Sequence, residues 1–329
     1  MKKSFDVIAL GELLVDFSGA GRSAQDNMLF EANPGGAPCN VLAMLAKLGK
    51  KTAFIGKVGQ DFLGNMLKDK VQSLGIDTTC LYADNSVPTT LAFIHNAPDG
   101  EREFSFYREP GADTMLCEQE ISEEMIAGSK IFHYGTLSMT HSSAAAATER
   151  AVALAQKHGL LLSFDPNLRF NLWQNEDVLA QAVSFGLTHC DILKISADEL
   201  CWFTKESDLQ TAVKRLRAQY AISLIVVTDG KNGSDAYYQD IAVHTEAFLR
   251  TDTVDTTGAG DTFCGCLLNG ILENGGSDLN RERLTKMMRF ASAASALITT
   301  KKGALCVMPD GDAIRKLLRN RNSDEEIKK

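Results

Sequence analysis

The chain has 329 residues, 44% of them hydrophobic, and a formal net charge of −8. That size permits a large buried core, either in two domains or in one α/β domain carrying an insertion. The acidic balance, with dispersed Lys and Arg, argues against a nucleic-acid surface, and no apolar run approaches the roughly 20 residues that span a bilayer.

Val7-Ile8-Ala9-Leu10 is a short continuous apolar run, as expected of a strand buried on both faces. The residues before it, Met1 to Asp6, lack the apolar core of a signal peptide. The eight cysteines show no zinc or disulfide spacing; the closest pair is Cys264-x-Cys266. A reducing cytoplasm is therefore expected. A dinucleotide-binding unit would turn through G-x-G-x-x-G after the first strand, but Gly11-Glu12-Leu13-Leu14-Val15-Asp16-Phe17 reads as a second extended segment. Asp16 at its end either accepts hydrogen bonds from ligand hydroxyls or is an ordinary loop aspartate.

Asn33-Pro34-Gly35-Gly36-Ala37-Pro38-Cys39-Asn40 then leads into Val41, Leu42, Leu45 and Leu48 at helical spacing. Paired glycines let backbone approach a ligand, and Asn40 both donates and accepts hydrogen bonds, which suits a polyhydroxy compound. A tight loop before a proline-started helix is the alternative. Thr52 to Val58 reads as a buried strand and Phe62 to Leu74 as a helix. Thr89–His95 and Glu103–Arg108 flank Pro98-Asp99-Gly100 and read as a β-hairpin. Together with the segment from Glu12 to Phe30, this hairpin is expected to form a small projecting sheet, a flap that excludes water. Arg108 and Asp113 are expected to face the same pocket.

Lys130 to Tyr134, Leu160 to Asp165 and Asp191 to Ile195 read as strands, with Ser142 to His158 as an Ala-rich helix. Asp165-Pro166-Asn167-Leu168-Arg169 is a polar cluster at a strand end, although Asp-Pro-Asn is also turn chemistry. Ser196-x-x-Glu199 has the spacing of a capping box, and Glu199 has the alternative of helping to hold a hydrated Mg²⁺. Leu224–Thr228 is the clearest buried strand. The Asp229-Gly230-Lys231-Asn232-Gly233 turn after it either admits a nucleotide or turns a hairpin into Ser234–Tyr238.

A β-rich run from Ala242 to Val254 precedes Asp255-Thr256-Thr257-Gly258-Ala259-Gly260-Asp261-Thr262-Phe263, which feeds a helix with Phe263, Leu267, Leu268, Ile271 and Leu272 on its apolar face. Free N–H groups at such a helix start attract an anion. Asp261 beside them is either a helix-capping residue or a base that deprotonates a hydroxyl as phosphate is transferred. Arg289 to Thr300 reads as an Ala/Ser-rich helix whose small side chains would admit a flat adenine, and the polar tail from Arg319 reads as frayed.

Taken in order, Pro34-Gly35-Gly36-x-x-x-Asn40 and Asp255-Thr-Thr-Gly-Ala-Gly-Asp261 resemble the two signatures of the ribokinase-like (PfkB) carbohydrate kinases. The resemblance runs from about Asp6 to Leu318. Gly11–Asp16, Arg108-x-Pro-Gly-Ala-Asp113, and Asp165–Arg169 with Leu172-Trp173 resemble the fructokinase branch in particular. It implies one α/β kinase domain over residues 1–329, a three-layer αβα sandwich with a mainly parallel sheet. A β-lid would be formed by about residues 12–33 and 88–112. The implied reaction is ATP-dependent phosphorylation of a sugar hydroxyl, with fructose first and 2-keto-3-deoxygluconate, ribose and aminoimidazole riboside as alternatives. A non-catalytic sugar or nucleotide sensor is the rival of another class.

The resemblance also implies residue roles. Asp261 would be the general base, and the amides of Gly258, Ala259 and Gly260 the anion hole. Asp16, Gly35, Gly36, Asn40, Phe104, Arg108 and Arg169 would bind the sugar. Lys194, Thr228, Gly230, Gly233, Gly258 and Ser292 would meet the nucleotide. Glu199 would hold Mg²⁺ through water, and Asp255, Thr257, Lys301 and Gly303 a monovalent cation, K⁺. A homodimer through the lid is also expected.

Overall fold

The computed structural model describes residues 3–96, 102–276 and 278–327. Strand β1 (Phe5–Leu10) is followed by two long strands, β2 (Leu14–Arg22) and β3 (Met28–Gly35), and by helix α1 (Ala37–Lys47). Next come β4 (Thr52–Gly59), α2 (Phe62–Ser73), β5 (Ile76–Asp84), β6 (Leu91–Asn96) and β7 (Arg102–Tyr107). Strand–helix alternation then sets in: α3 (Glu123–Ala127), β8 (Ser129–Tyr134), α4 (Ser142–Lys157), β9 (Leu161–Phe164), α5 (Glu176–His189), β10 (Ile192–Ser196), α6 (Ala197–Thr204), α7 (Leu209–Gln219) and β11 (Leu224–Thr228). The chain closes with β12 (Ser234–Tyr238), β13 (Ile241–Thr245), α8 (Ala259–Glu273), α9 (Arg281–Ile298) and α10 (Gly311–Ile327).

The main sheet has the order β13-β12-β11-β10-β9-β8-β1-β4-β5. From β11 to β5 every pairing is parallel, and β12 and β13 add an antiparallel edge. Successive residues of a strand face opposite sides, so a strand covered on both sides is apolar throughout. In β1, Val7 and Ala9 join one hydrophobic cluster, with residues of α1, α2, α8, α9 and α10. Ile8 and Leu10 join the other, with residues of α3 to α7. Strand β11 divides likewise, Leu224 and Val226 against Ile225 and Val227. The result is the expected αβα sandwich.

The second sheet, β3-β2-β6-β7, stands apart from the first. Alternation sorts its faces: Asp16, Phe104 and Phe106 face a cavity over the main sheet. On the other side Phe17 stacks on Phe93 with ring centroids 5.0 Å apart, and Phe30 and Tyr107 pack edge-on to Phe93. The hairpin turn Pro98-Asp99-Gly100 lies outside the described residues.

Three expectations need correction. The β-rich run Ala242–Val254 is a strand only to Thr245. Beyond it Arg250 pairs with Asp252, and the Val254 and Asp255 N–H groups donate to Thr299 O at the end of α9 (2.7 and 3.0 Å), so this backbone is tied to a helix end rather than to a neighbouring strand. The tail from Arg319 continues helix α10 as far as Ile327 instead of fraying at Arg319. The Ala/Ser-rich helix begins eight residues earlier than Arg289, at Arg281, where Asn280 caps it by accepting from Arg283 N–H.

Candidate active site

The loops after β1, β9 and β10 converge at the carboxyl ends of parallel strands, where ligands of open α/β sheets collect. With the start of α8 and the second sheet they enclose a cavity of about 380 Å³. Its wall carries the carboxylates Glu12, Asp16, Asp165, Glu199 and Asp261 against two cations, Arg169 and Lys194.

Asp261 lies in the first turn of α8. Its Oδ2 accepts a 2.7 Å hydrogen bond from Asn40 Nδ2, in the first turns of α1. Burial raises its pKa above the ordinary aspartate value; the bond from Asn40 and the charges of Lys194 and Arg169 oppose that shift. The group is thus a stronger base than a solvated aspartate. Asn40 Oδ1 is buried without a partner, an acceptor left for a ligand hydroxyl.

Gly258 precedes α8 in the left-handed region (φ 75°), and a Cβ there would lie 2.6 Å from the Ala304 Cβ. Only glycine fits that turn. Among the described residues the N–H groups of Gly258 and Gly260 have no protein acceptor, while Ala259 N–H donates to Thr256 O at 3.2 Å. Two N–H groups of the turn, those of Gly258 and Gly260, are thus open to an anion, and Ala259 closes the turn.

Gly36 (φ 128°) likewise admits no side chain, since its Cβ would be 2.3 Å from Glu12 O. Gly35 is not part of the cavity wall; its role is to leave room for Asp16, whose Oδ2 would lie 2.1 Å from a Cβ there. Burial pushes Asp16 up to about 7, with Arg169 opposing and Asp261 and Asp255 reinforcing the shift. Arg169 places its guanidinium 5.5 Å from the centre of the Phe104 ring, and Asn171 Nδ2 donates to Phe104 O (2.9 Å), so the second sheet rests on the loop after β9.

Arg108 is a correction. It is 3% exposed, and its donors go to Asp113 Oδ2 (2.7 and 2.8 Å), Thr140 Oγ1 (2.7 Å) and Leu137 O (2.9 Å). It braces the base of the second sheet and is absent from the cavity wall. Asp113 also accepts from Thr90 Oγ1.

Lys194 stands beside the Gly258–Gly260 turn. It lines the first cavity, pairs with Asp165 Oδ2 at 3.0 Å, and puts Nζ 3.1 Å from where a Gly260 Cβ would stand. Burial pushes Asp165 up to about 6 despite that ion pair, and its Oδ1 is buried without a partner. Glu199 completes the capping box: Oε2 accepts from Ser196 N–H (2.9 Å) and Oε1 from Leu168 N–H (3.1 Å). Each oxygen thus accepts one backbone bond and keeps a second lone pair.

Thr228, Gly230, Gly233 and Ser292 line a second cavity, of about 420 Å³. Gly233 is in the left-handed region and a Cβ there would lie 2.2 Å from Thr245 O, so the turn after β11 serves both the hairpin and the cavity. Ser295 Oγ donates to Ala259 O, fixing the floor. Thr256, Ala259 and Gly260 belong to both cavities, so the two meet at the anion turn.

Asp255 accepts from Thr257 N–H (2.8 Å) and Gly303 N–H (3.2 Å), which brings those residues together beside the turn. Lys301 lies on an exposed turn and lines neither cavity. Glu12 went unnoticed as a site residue in the sequence. It is 4% exposed, accepts from Ala37 N–H at 2.7 Å, and burial pushes it up to about 7. Its signal was a carboxylate directly after a buried strand and Gly11.

Residues 4–310 match the family described as pfkB family carbohydrate kinase. A protein named "Probable fructokinase-2" from Arabidopsis thaliana is 39% identical over 307 residues, covering 92% of each chain. Among solved structures, fructokinase with bound ATP from Xylella fastidiosa superposes with a TM-score of 0.88 at 30% identity, covering 98% of this chain and 100% of that one. Fructokinase from Vibrio cholerae O395 in its fructose, ADP and calcium ion bound form gives 0.85 at 28%, covering 96% and 99%. The glycine turn, the carboxylate beside it and the two cavities that meet there belong to a phosphotransferase with a hydroxyl acceptor, and the chain is a member of the pfkB family of carbohydrate kinases.

Proposed function

We propose that the chain is a fructokinase that transfers the γ-phosphoryl group of ATP to a fructose hydroxyl. The observation that supports it most is the position of Asp261, held by Asn40 where the two cavities join. A sugar hydroxyl in the first cavity gives its proton to Asp261, and the Gly258 and Gly260 amides take up charge developing on the transferred group. Asp16, Gly36, Asn40 and Arg169 orient the sugar, and Phe104 and Phe106 cover it from above. An intact base and an intact anion turn disfavour a non-catalytic sensor.

The acid-rich wall would repel a bare triphosphate, which fits a nucleotide that arrives with Mg²⁺. Among the described residues no three His, Cys, Asp or Glu are grouped to cage a metal. The fit is to a hydrated ion that Asp165 and Glu199 hold through water, since Mg²⁺ keeps several of its waters. When bound it would neutralise phosphate charge. For K⁺ the fit is through the backbone that Asp255 ties together at Thr257 and Gly303, with Lys301 limited to its carbonyl.

The second sheet acts as a lid, and its exposed outer face supports a homodimer: Met28 and Tyr107 are 64% and 65% exposed around the Phe93 cluster. The kinase fold occupies the whole chain as one domain and works in the cytoplasm, with every cysteine a free thiol. Among the described residues no helix is long and apolar enough to cross a membrane.

An ADP-release assay over fructose, ribose, 2-keto-3-deoxygluconate, tagatose and aminoimidazole riboside tests the substrate. Fructose should give the highest kcat/KM; a larger value for another acceptor would replace fructose, and no turnover with any would remove the kinase reading.

A further inference from the structure

A third cavity, of about 430 Å³, opens at the opposite ends of the helices that build the active site. It is as large as either catalytic cavity and within the range of small-molecule sites, roughly 300–1,000 Å³. Helix α1 begins at the sugar loop and reaches the cavity with Lys47, its last residue. Helix α8 begins at the anion turn and contributes Cys266, Asn269 and Glu273. Asp261 and Asn269 are eight residues apart on α8, which at about 1.5 Å per residue separates the two sites by roughly 12 Å along the helix.

The wall has two features a core gap would not have. Asn269 is 6% exposed, and its Oδ1 is buried with no hydrogen-bond partner. An unpaired buried acceptor is costly, so a donor from a ligand would be well received. Around it stand Lys47, Arg283, Lys286 and Arg315, against one carboxylate, Glu273, which pairs outward with Lys50. The acids that pair with three of these cations, Asp278, Glu282 and Asp312, are 74–94% exposed and outside the wall. Exposed pairs of this kind are weak, so the cations can turn to a stronger partner. Met287 and Phe290 supply an apolar side.

We propose that this cavity binds a phosphorylated polyol, with the phosphate on the Arg283, Lys286 and Arg315 cluster and a hydroxyl donating to Asn269 Oδ1. Arginine forks suit a phosphate, and an orphan acceptor suits a hydroxyl. The ligand class includes sugar phosphates, which are the chemical class of product the catalytic site would release. Binding rigidifies the far ends of α1 and α8 without touching the reacting groups.

The test is hydrogen exchange on the full chain titrated with fructose 6-phosphate, inorganic phosphate and fructose. Fructose 6-phosphate should slow exchange in 266–274 and 283–290, separately from any change at 36–40 and 258–261, and more strongly than either other probe. The readout does not depend on turnover, so it stands whether or not the fructokinase reading survives. In Arg283→Glu/Lys286→Glu, losing charge-assisted bonds should weaken this protection at least about tenfold. Asn269→Leu should also lose it while the protein stays folded, since it removes the orphan acceptor. No protection in 266–274 and 283–290, equal protection by inorganic phosphate, or undiminished binding in both variants would overturn the proposal.

Discussion

Asn40 and Asp261 are 221 residues apart in the chain, yet the Asn40 amide donates to the Asp261 carboxylate at 2.7 Å. The first turn of α1 is thereby joined to the first turn of α8, and the Gly35-Gly36 loop to the Gly258–Gly260 turn. The bond favours the charged form of Asp261, while burial favours the neutral one.

Removing the base should separate binding from chemistry. Asp261→Asn is expected to lower kcat by about 10²–10⁴ with sugar affinity largely kept. Steady-state kinetics beside equilibrium binding of fructose would show this, and near-normal kcat would eliminate Asp261 as the base.

Asn40→Ala should move the pH profile. The base works deprotonated, so activity falls as pH drops through its pKa. Because that pKa is already raised, the acid limb of the wild-type kcat/KM profile should lie above the roughly 4 of an ordinary aspartate. Deleting the Asn40 donor removes a lowering influence, so the limb should shift further towards neutrality. A profile that stays in place would mean that another group sets it.

Glu12 makes an opposite prediction about stability. Its folded pKa, about 7, exceeds the usual glutamate value of 4.5, so between those values the folded state holds more protons than the unfolded one. Stability contributed by this group is full below pH 4.5 and is lost as pH rises through 7. Glu12→Gln keeps an acceptor for Ala37 N–H and removes the charge. Its Tm should exceed wild type at pH 8, with the gap closing at pH 5; calorimetry at the two values decides.

Gly258→Ala places a side chain where φ is 75° and the Ala304 Cβ is 2.6 Å away. Backbone strain of this kind is worth roughly 1–3 kcal/mol. The anion turn would shift to relieve it, so kcat should fall with stability. Unfolding by urea and turnover measured on one preparation would show both losses together.

Binding of fructose should slow hydrogen exchange in β6 and β7 if the second sheet closes as a lid. The Phe104 anchor on Arg169 and Asn171 is the contact that would tighten. Unchanged exchange at 91–96 and 102–107 would leave that sheet a static wall.

Much of this was legible in the chain itself. Continuous apolar runs such as Leu224–Thr228 announce strands covered on both faces, and Gly258-Ala259-Gly260 announces backbone that must come close to something. What depends on partners distant in sequence was not. Arg108 reads as a site cation until the structure shows Asp113, Thr140 and Leu137 consuming its donors. Strand β5, with Asp77, Thr78 and Thr79 in its first half, lies at a sheet edge where the apolar pattern lapses, and nothing local marks it.

Among the described residues the first two cavities share Thr256, Ala259 and Gly260. Each is large enough for one substrate, and the Asp261 carboxylate tied to Asn40 stands beside their junction as the proposed base. Donor and acceptor must therefore sit side by side in a ternary complex before anything moves between them. Double-reciprocal plots at varied fructose and ATP should intersect rather than run parallel, and no phosphorylated protein should accumulate when ATP is supplied alone.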